Sequence, residues 1–147
     1  MTAERPYDDL IMDHIRNARN YRVPGNPTGK ANGLNPMCGD DMTIYVRIER
    51  GVINDAAFQC SCCGVSMASA SIMTEMVIGL RPAQAGALLE SFIAAVRSGV
   101  APEGASPGQL AILDTVRNYP SRARCAVLPW ATLGASMENR LQTVIPH

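Results

Sequence analysis

The chain has 147 residues, 47% of them apolar, enough for one domain with a buried core. Its 13 Lys and Arg balance 13 Asp and Glu, so no broad field draws it to nucleic acid or an anionic membrane. A partner has to be recognised by shape and local chemistry. The opening ten residues lack a basic stretch followed by an apolar one, and Glu90 interrupts the best apolar run, residues 85–96. Neither a secretory signal nor a membrane span is expected. A cytoplasmic setting follows, in which thiols stay reduced. Five cysteines, an odd number, suit metal or sulfur chemistry better than a fully paired disulfide framework.

A first helix is expected over residues 7–19, with Leu10, Ile11, His14 and Ile15 on one stripe and Asp8 and Asp9 at its positive end. His14 reads as a packing residue. Pro24, Gly25, Pro27 and Gly29 make residues 20–33 a loop, with a short extended piece near its end. Residues 42–50 alternate: Met42, Ile44, Val46 and Ile48 face one way and Thr43, Tyr45, Arg47 and Glu49 the other, which predicts a half-buried strand. A turn at Arg50-Gly51 returns the chain as a second strand over 52–59, an antiparallel hairpin.

Residues 65–78 predict a helix whose many small side chains permit close packing. Gly79 suits its C-terminal end, and Pro82 suits the first turn of the next helix, which runs to Ser98. A loop over 99–108, a short helix over 110–118 stopped by Pro120, and a final helical stretch opened by Cys125 complete the chain. The fold class is α+β: a small antiparallel sheet with helices packed on one side, forming a single domain over residues 1–147. The methionines Met67, Met73 and Met76 read as core filler.

The hairpin carries the functional argument. Cys38 and Asp40 stand just before one strand, and Cys60, Cys62 and Cys63 stand just after the other, so the topology sets the two groups side by side. With Cys125, three thiols and one carboxylate can meet around a metal that is held without being fully enclosed. Thiolate sulfur favours zinc or iron–sulfur clusters, and a single aspartate is a harder, more easily displaced ligand. Spacing alone does not choose between these uses. Asp40 has a second use, as a cap for local amides.

Asn35-Pro36-Met37-Cys38-Gly39-Asp40 and Cys63-Gly64-Val65-Ser66-Met67-Ala68-Ser69-Ala70-Ser71 resemble the signatures of the IscU/NifU iron–sulfur scaffold superfamily. Ile11-Met12-Asp13-His14-Ile15-Arg16-Asn17 and Pro120-Ser121-Arg122-Ala123-Arg124-Cys125, with the long gap from Cys63 to Cys125, resemble its SufU branch more closely. The resemblance implies a SufE/NifU-like, IscU-type fold and places the metal ligands at Cys38, Asp40, Cys63 and Cys125. In the SufU mode it implies zinc, sulfurtransferase activity and Cys38 as acceptor of persulfide sulfur from a cysteine desulfurase of SufS/IscS type. In the IscU mode it implies a scaffold that binds iron and assembles a [2Fe–2S] cluster on the same residues for downstream assembly or acceptor proteins, with Cys125 taking the acceptor role. A zinc-stabilised activator of the desulfurase that carries no sulfur is a third expectation, so enzyme and non-enzymatic scaffold both stand.

Arg124 occupies the place where IscU proteins usually carry histidine, and Arg122 and Arg124 flank the third thiol, where a cation favours thiolate. Solvated arginines at a helix start are the plainer alternative. The chain departs from the family at Cys60 and Cys62, where relatives mostly have glycine. These thiols are surface substitutions, a store or relay for persulfide sulfur, or additions to the ligand set. Cys63 is expected to remain the ligand because it alone immediately precedes the helix.

Overall fold

The computed structural model describes residues 8–139 and 141–145. Helix α1 (Asp8–Arg16) buries Ile11 and His14 from its expected stripe; Tyr7 lies outside the described residues. Strands β1 (Gly29–Asn35), β2 (Asp40–Glu49) and β3 (Val52–Ser61) follow, then helices α2 (Gly64–Val77), α3 (Pro82–Ser98), α4 (Pro107–Asn118) and α5 (Ala123–Met137), and a short strand β4 (Gln142–Val144). The sheet order is β3-β2-β1-β4. The α+β class and the antiparallel hairpin hold. Arg50 (φ 53°) and Gly51 (φ 75°) both take positive φ, the backbone that closes a tight hairpin whose twist matches its strands.

Two elements differ from expectation. The short extended piece expected near the end of residues 20–33 is part of a seven-residue inner strand, β1, paired with β2 and β4. Its glycines hid its extent, and packing explains them. A Cβ on Gly33 would lie 1.9 Å from Thr132 Oγ1, and one on Gly29 would lie 2.2 Å from the Ser136 carbonyl oxygen. These residues are glycine because α5 lies against the strand. Strand β4 was not foreseen and pairs parallel to β1, so the sheet is mixed. Three rungs are too few to leave a pattern in the sequence.

The core lies between the sheet and α2, α3 and α5. Met42, Ile44, Val46 and Phe58 from the sheet and Phe92, Trp130 and Leu133 from the helices have no exposure. The small residues of α2 do allow close approach. Ser69 Oγ donates to the Ala126 carbonyl at 2.7 Å and accepts from Trp130 Nε1 at 3.0 Å, so the polar atoms of the α2–α5 seam are paired. His14 packs as expected, its Nδ1 2.7 Å from Ser71 Oγ.

Candidate metal centre

Asn35 and Asp40 form the last rung of β1 and β2, and residues 36–39 turn between them. Gly39 (φ 73°) supplies the left-handed backbone of that turn, and nothing lies within 4 Å of the place where its Cβ would be. Cys38 therefore rides an open turn and is exposed, while Asp40 is 3% exposed. Ser61 pairs with Asp41 at the same end of the sheet, and Cys63 follows as the N-cap of α2. Cys125, in the first turn of α5, is fully buried.

The Cys38 and Cys125 thiols and an Asp40 carboxylate oxygen all lie within 4.8 Å of one another. Cys63, expected as a ligand, falls outside this trio, though a hydrogen bond links its thiol to that of Cys125. These two sulfurs share a proton unequally. The hydrogen bond from Cys125 lowers the Cys63 thiol to about 5, while the neighbouring Cys63 sulfur and burial push Cys125 well above its usual range. Cys63 is thus the more acidic of the two thiols. Arg122 is held more firmly in its charged form, first by Cys125 and then by the charge on Cys63.

Asp40 is braced on both oxygens. Oδ1 accepts from the Cys63 amide at 3.0 Å, and Oδ2 accepts from Asn35 Nδ2 at 3.2 Å. Ser66 Oγ lies 3.2 Å from Asp40 Oδ2 and 3.1 Å from the Cys125 carbonyl, and its one proton serves one of them at a time. That carbonyl is free because Pro129, inside α5, has no N–H to donate back to it. Asp40 thus caps an amide, as one of its two readings expects, and lies close to the Cys38 and Cys125 thiols. Sequence reasoning missed Asn35 and Ser66. Both lie inside the quoted motifs, and neither carries a charge or thiol to single it out.

The remaining expectations sort clearly. Arg122 faces the cysteines, whereas Arg124 turns into a cavity with Val96, Arg97, Val127 and Ile145, its Nη1 buried without a partner. Cys60 and Cys62 are joined to each other in a disulfide, so the expectation of reduced thiols holds for Cys38, Cys63 and Cys125 alone. Among the described residues, neither Cys60 nor Cys62 belongs to the group of candidate ligands. Nor does any helix reach the length and apolarity of a membrane span.

The donor set suits a thiophilic metal. Tetrahedral zinc with thiolate ligands places sulfurs about 3.8 Å apart, and the donor atoms of the trio already lie within 4.8 Å of one another. Residues 6–126 match the model of the NifU-like N terminal domain. The chain is 31% identical over 139 residues to the iron–sulfur cluster assembly scaffold protein IscU of Thermotoga maritima, covering 95% of this chain and 97% of that one. It is 32% identical over 127 residues to the zinc-dependent sulfurtransferase SufU of Bacillus subtilis, covering 86% of each. A crystal structure of a SUF-system scaffold protein from Fervidobacterium islandicum superposes with a TM-score of 0.81 at 28% identity, over 89% of this chain and 96% of that one. Fold, motifs and relatives agree, and the chain belongs to the IscU/SufU family of iron–sulfur cluster assembly scaffold proteins built on the NifU-like N-terminal domain.

Proposed function

We propose that this protein accepts persulfide sulfur from a cytoplasmic cysteine desulfurase at a zinc site formed by Cys38, Asp40, Cys63 and Cys125. The observation that carries the reading is the unequal exposure of the candidate ligands: Asp40 and Cys125 are buried, while Cys38 stands open on a glycine turn. One ligand can leave for a visiting enzyme while the others hold their places. Cys63 completes the set by turning its side chain toward the trio. Zinc, when bound, keeps the thiols deprotonated and withholds them from side reactions.

The step is a sulfur displacement. The Cys38 thiolate attacks the outer sulfur of the desulfurase persulfide, an S–S bond forms, and the desulfurase cysteine leaves as thiolate. Arg122, charged and facing the cysteines, offsets the added negative charge. Intact-mass analysis after incubation with a desulfurase and cysteine tests the reading. The zinc-loaded protein should gain the mass of sulfur and Cys38→Ser should not. A wild-type protein that never gains sulfur overturns it.

The full-length similarity to a protein named IscU supports a second reading, in which the same four residues carry a [2Fe–2S] cluster. Purification without oxygen separates the two: zinc leaves the protein colourless, and a cluster gives visible absorption.

A further inference from the structure

Cys60 and Cys62 need a use of their own. They lie half-buried at the end of β3, the edge strand of the sheet, with Cα atoms 5.4 Å apart and the sulfurs bonded. That separation falls within the window of about 4.4–6.8 Å for disulfides, so the pair can open and close without moving the backbone. As a brace the bond does little. Cross-links stabilise by removing chain entropy from long loops, and this one encloses Ser61 alone.

Their position points to chemistry. Cys62 immediately precedes Cys63, and Cys60 pairs across the ladder with Met42, two residues beyond Asp40. Cys38 lies in the turn at the same end of the sheet, where neighbouring strands are about 4.8 Å apart. Tyr21 fixes the pair from outside: its hydroxyl donates to the Cys60 carbonyl at 3.0 Å and sits 3.3 Å from the Cys60 amide. The Cys60 backbone is thereby satisfied, at the end of the sheet that carries the site.

We infer that Cys60 and Cys62 form an internal dithiol that reduces sulfane sulfur taken up at the neighbouring centre and releases it as hydrosulfide. The inference rests on sulfur acceptance at Cys38. The Cys62 thiolate attacks the outer sulfur of the Cys38 persulfide, giving a Cys62 persulfide and freeing the Cys38 thiolate. The Cys60 thiolate then attacks Cys62 Sγ, forming the Cys60–Cys62 disulfide and expelling hydrosulfide. The sulfane sulfur gains two electrons and the two thiols lose them. The structure holds the oxidised product of this couple, and a thioredoxin-type dithiol protein or a low-molecular-weight thiol returns it to the reduced form.

The test mixes reduced, zinc-loaded protein, freed of added thiols, with a desulfurase preloaded with persulfide and freed of cysteine. Released sulfide is trapped with a bimane, and the protein is weighed intact. The wild type should release sulfide and lose the mass of two hydrogens. Cys60→Ser should keep the sulfur on Cys62, and Cys60→Ser/Cys62→Ser should keep it on Cys38, both releasing none. Unchanged zinc content shows that the variants are folded. Sulfide release by the double variant at the wild-type rate overturns the inference, as does a wild type that keeps the sulfur with both thiols still reduced. A desulfurase that keeps its persulfide against every protein overturns sulfur acceptance itself, and the inference with it.

Discussion

The Cys63 amide donates to Asp40 Oδ1 at 3.0 Å, tying the start of α2 to the carboxylate that faces the thiols. Ligand geometry and helix position are therefore set by one side chain. Removing the carboxylate as Asp40→Ala leaves the Cys63 amide without its acceptor, while Asn35 Nδ2 keeps only Cys125 Sγ at 3.7 Å. A hydrogen bond to a charged group is worth about 1.5–3 kcal/mol, so losing the one from the Cys63 amide should cost the metal-free variant about that much. Asp40→Asn keeps one acceptor oxygen and should lose less. Urea unfolding of the metal-free proteins checks the order, and equal midpoints for Asp40→Ala and wild type would contradict it.

Cys63 should stay reactive in acid. Its thiol is lowered to about 5, chiefly by the hydrogen bond from Cys125, and the thiolate is the reactive form. In metal-free protein the rate of iodoacetamide labelling at Cys63 should hold nearly flat from about pH 8 to about pH 6 and fall below that. Cys125, buried and protonated, should stay unlabelled across the range. Cys125→Ala removes the donor and should move the Cys63 transition to higher pH. Peptide mapping after timed quenching gives both rates, and a Cys63 transition that ignores the Cys125 substitution would rule out the shared proton.

The sequence announced the hairpin and α2 through period and punctuation, and the Cys-Gly-Asp turn through its glycine. It showed β1 only as a short extended piece, because Gly29 and Gly33 read as loop until α5 is placed against them. The site was legible as residue types: Cys38, Asp40 and Cys125 converge, and Cys63 joins through its proton. Its supports were not. Ser66 matters because Pro129 leaves the Cys125 carbonyl free, a relation between residues far apart in the chain. The Cys60–Cys62 bond was equally hidden, since an odd count of cysteines says nothing of which two pair.

Gly33 should tolerate no side chain. Its Cβ would lie 1.9 Å from Thr132 Oγ1 and 3.1 Å from Leu128 Cδ1, both on the helix that carries Cys125. Overpacking of this kind costs about 1–3 kcal/mol, so Gly33→Ala should lower stability by that order and weaken metal binding as α5 is displaced. Thr132→Ala removes the nearer obstacle, and Gly33→Ala/Thr132→Ala should recover part of the loss. A double-mutant cycle in urea reads the coupling, and strict additivity would mean that the contact with Thr132 is not the cause.

His14 gives the fold a pH dependence separate from the thiols. Burial, and then the charge of Arg19, lower its pKa from 6.5, while Glu75 and Asp13 oppose them. The folded protein holds the ring neutral against Ser71, and the unfolded chain takes up a proton as soon as the pH falls below about 6.5. Protons thus favour unfolding: the His14 contribution is complete above about pH 6.5 and is lost as the pH drops through the lowered folded value. His14→Gln should flatten stability over that window and leave the slope above it unchanged. His147 is present in both proteins, so their difference isolates His14. Urea midpoints of the metal-free proteins between about pH 7.5 and about pH 5 make the comparison, and parallel curves for the two would show that the buried ring is not the titrating group.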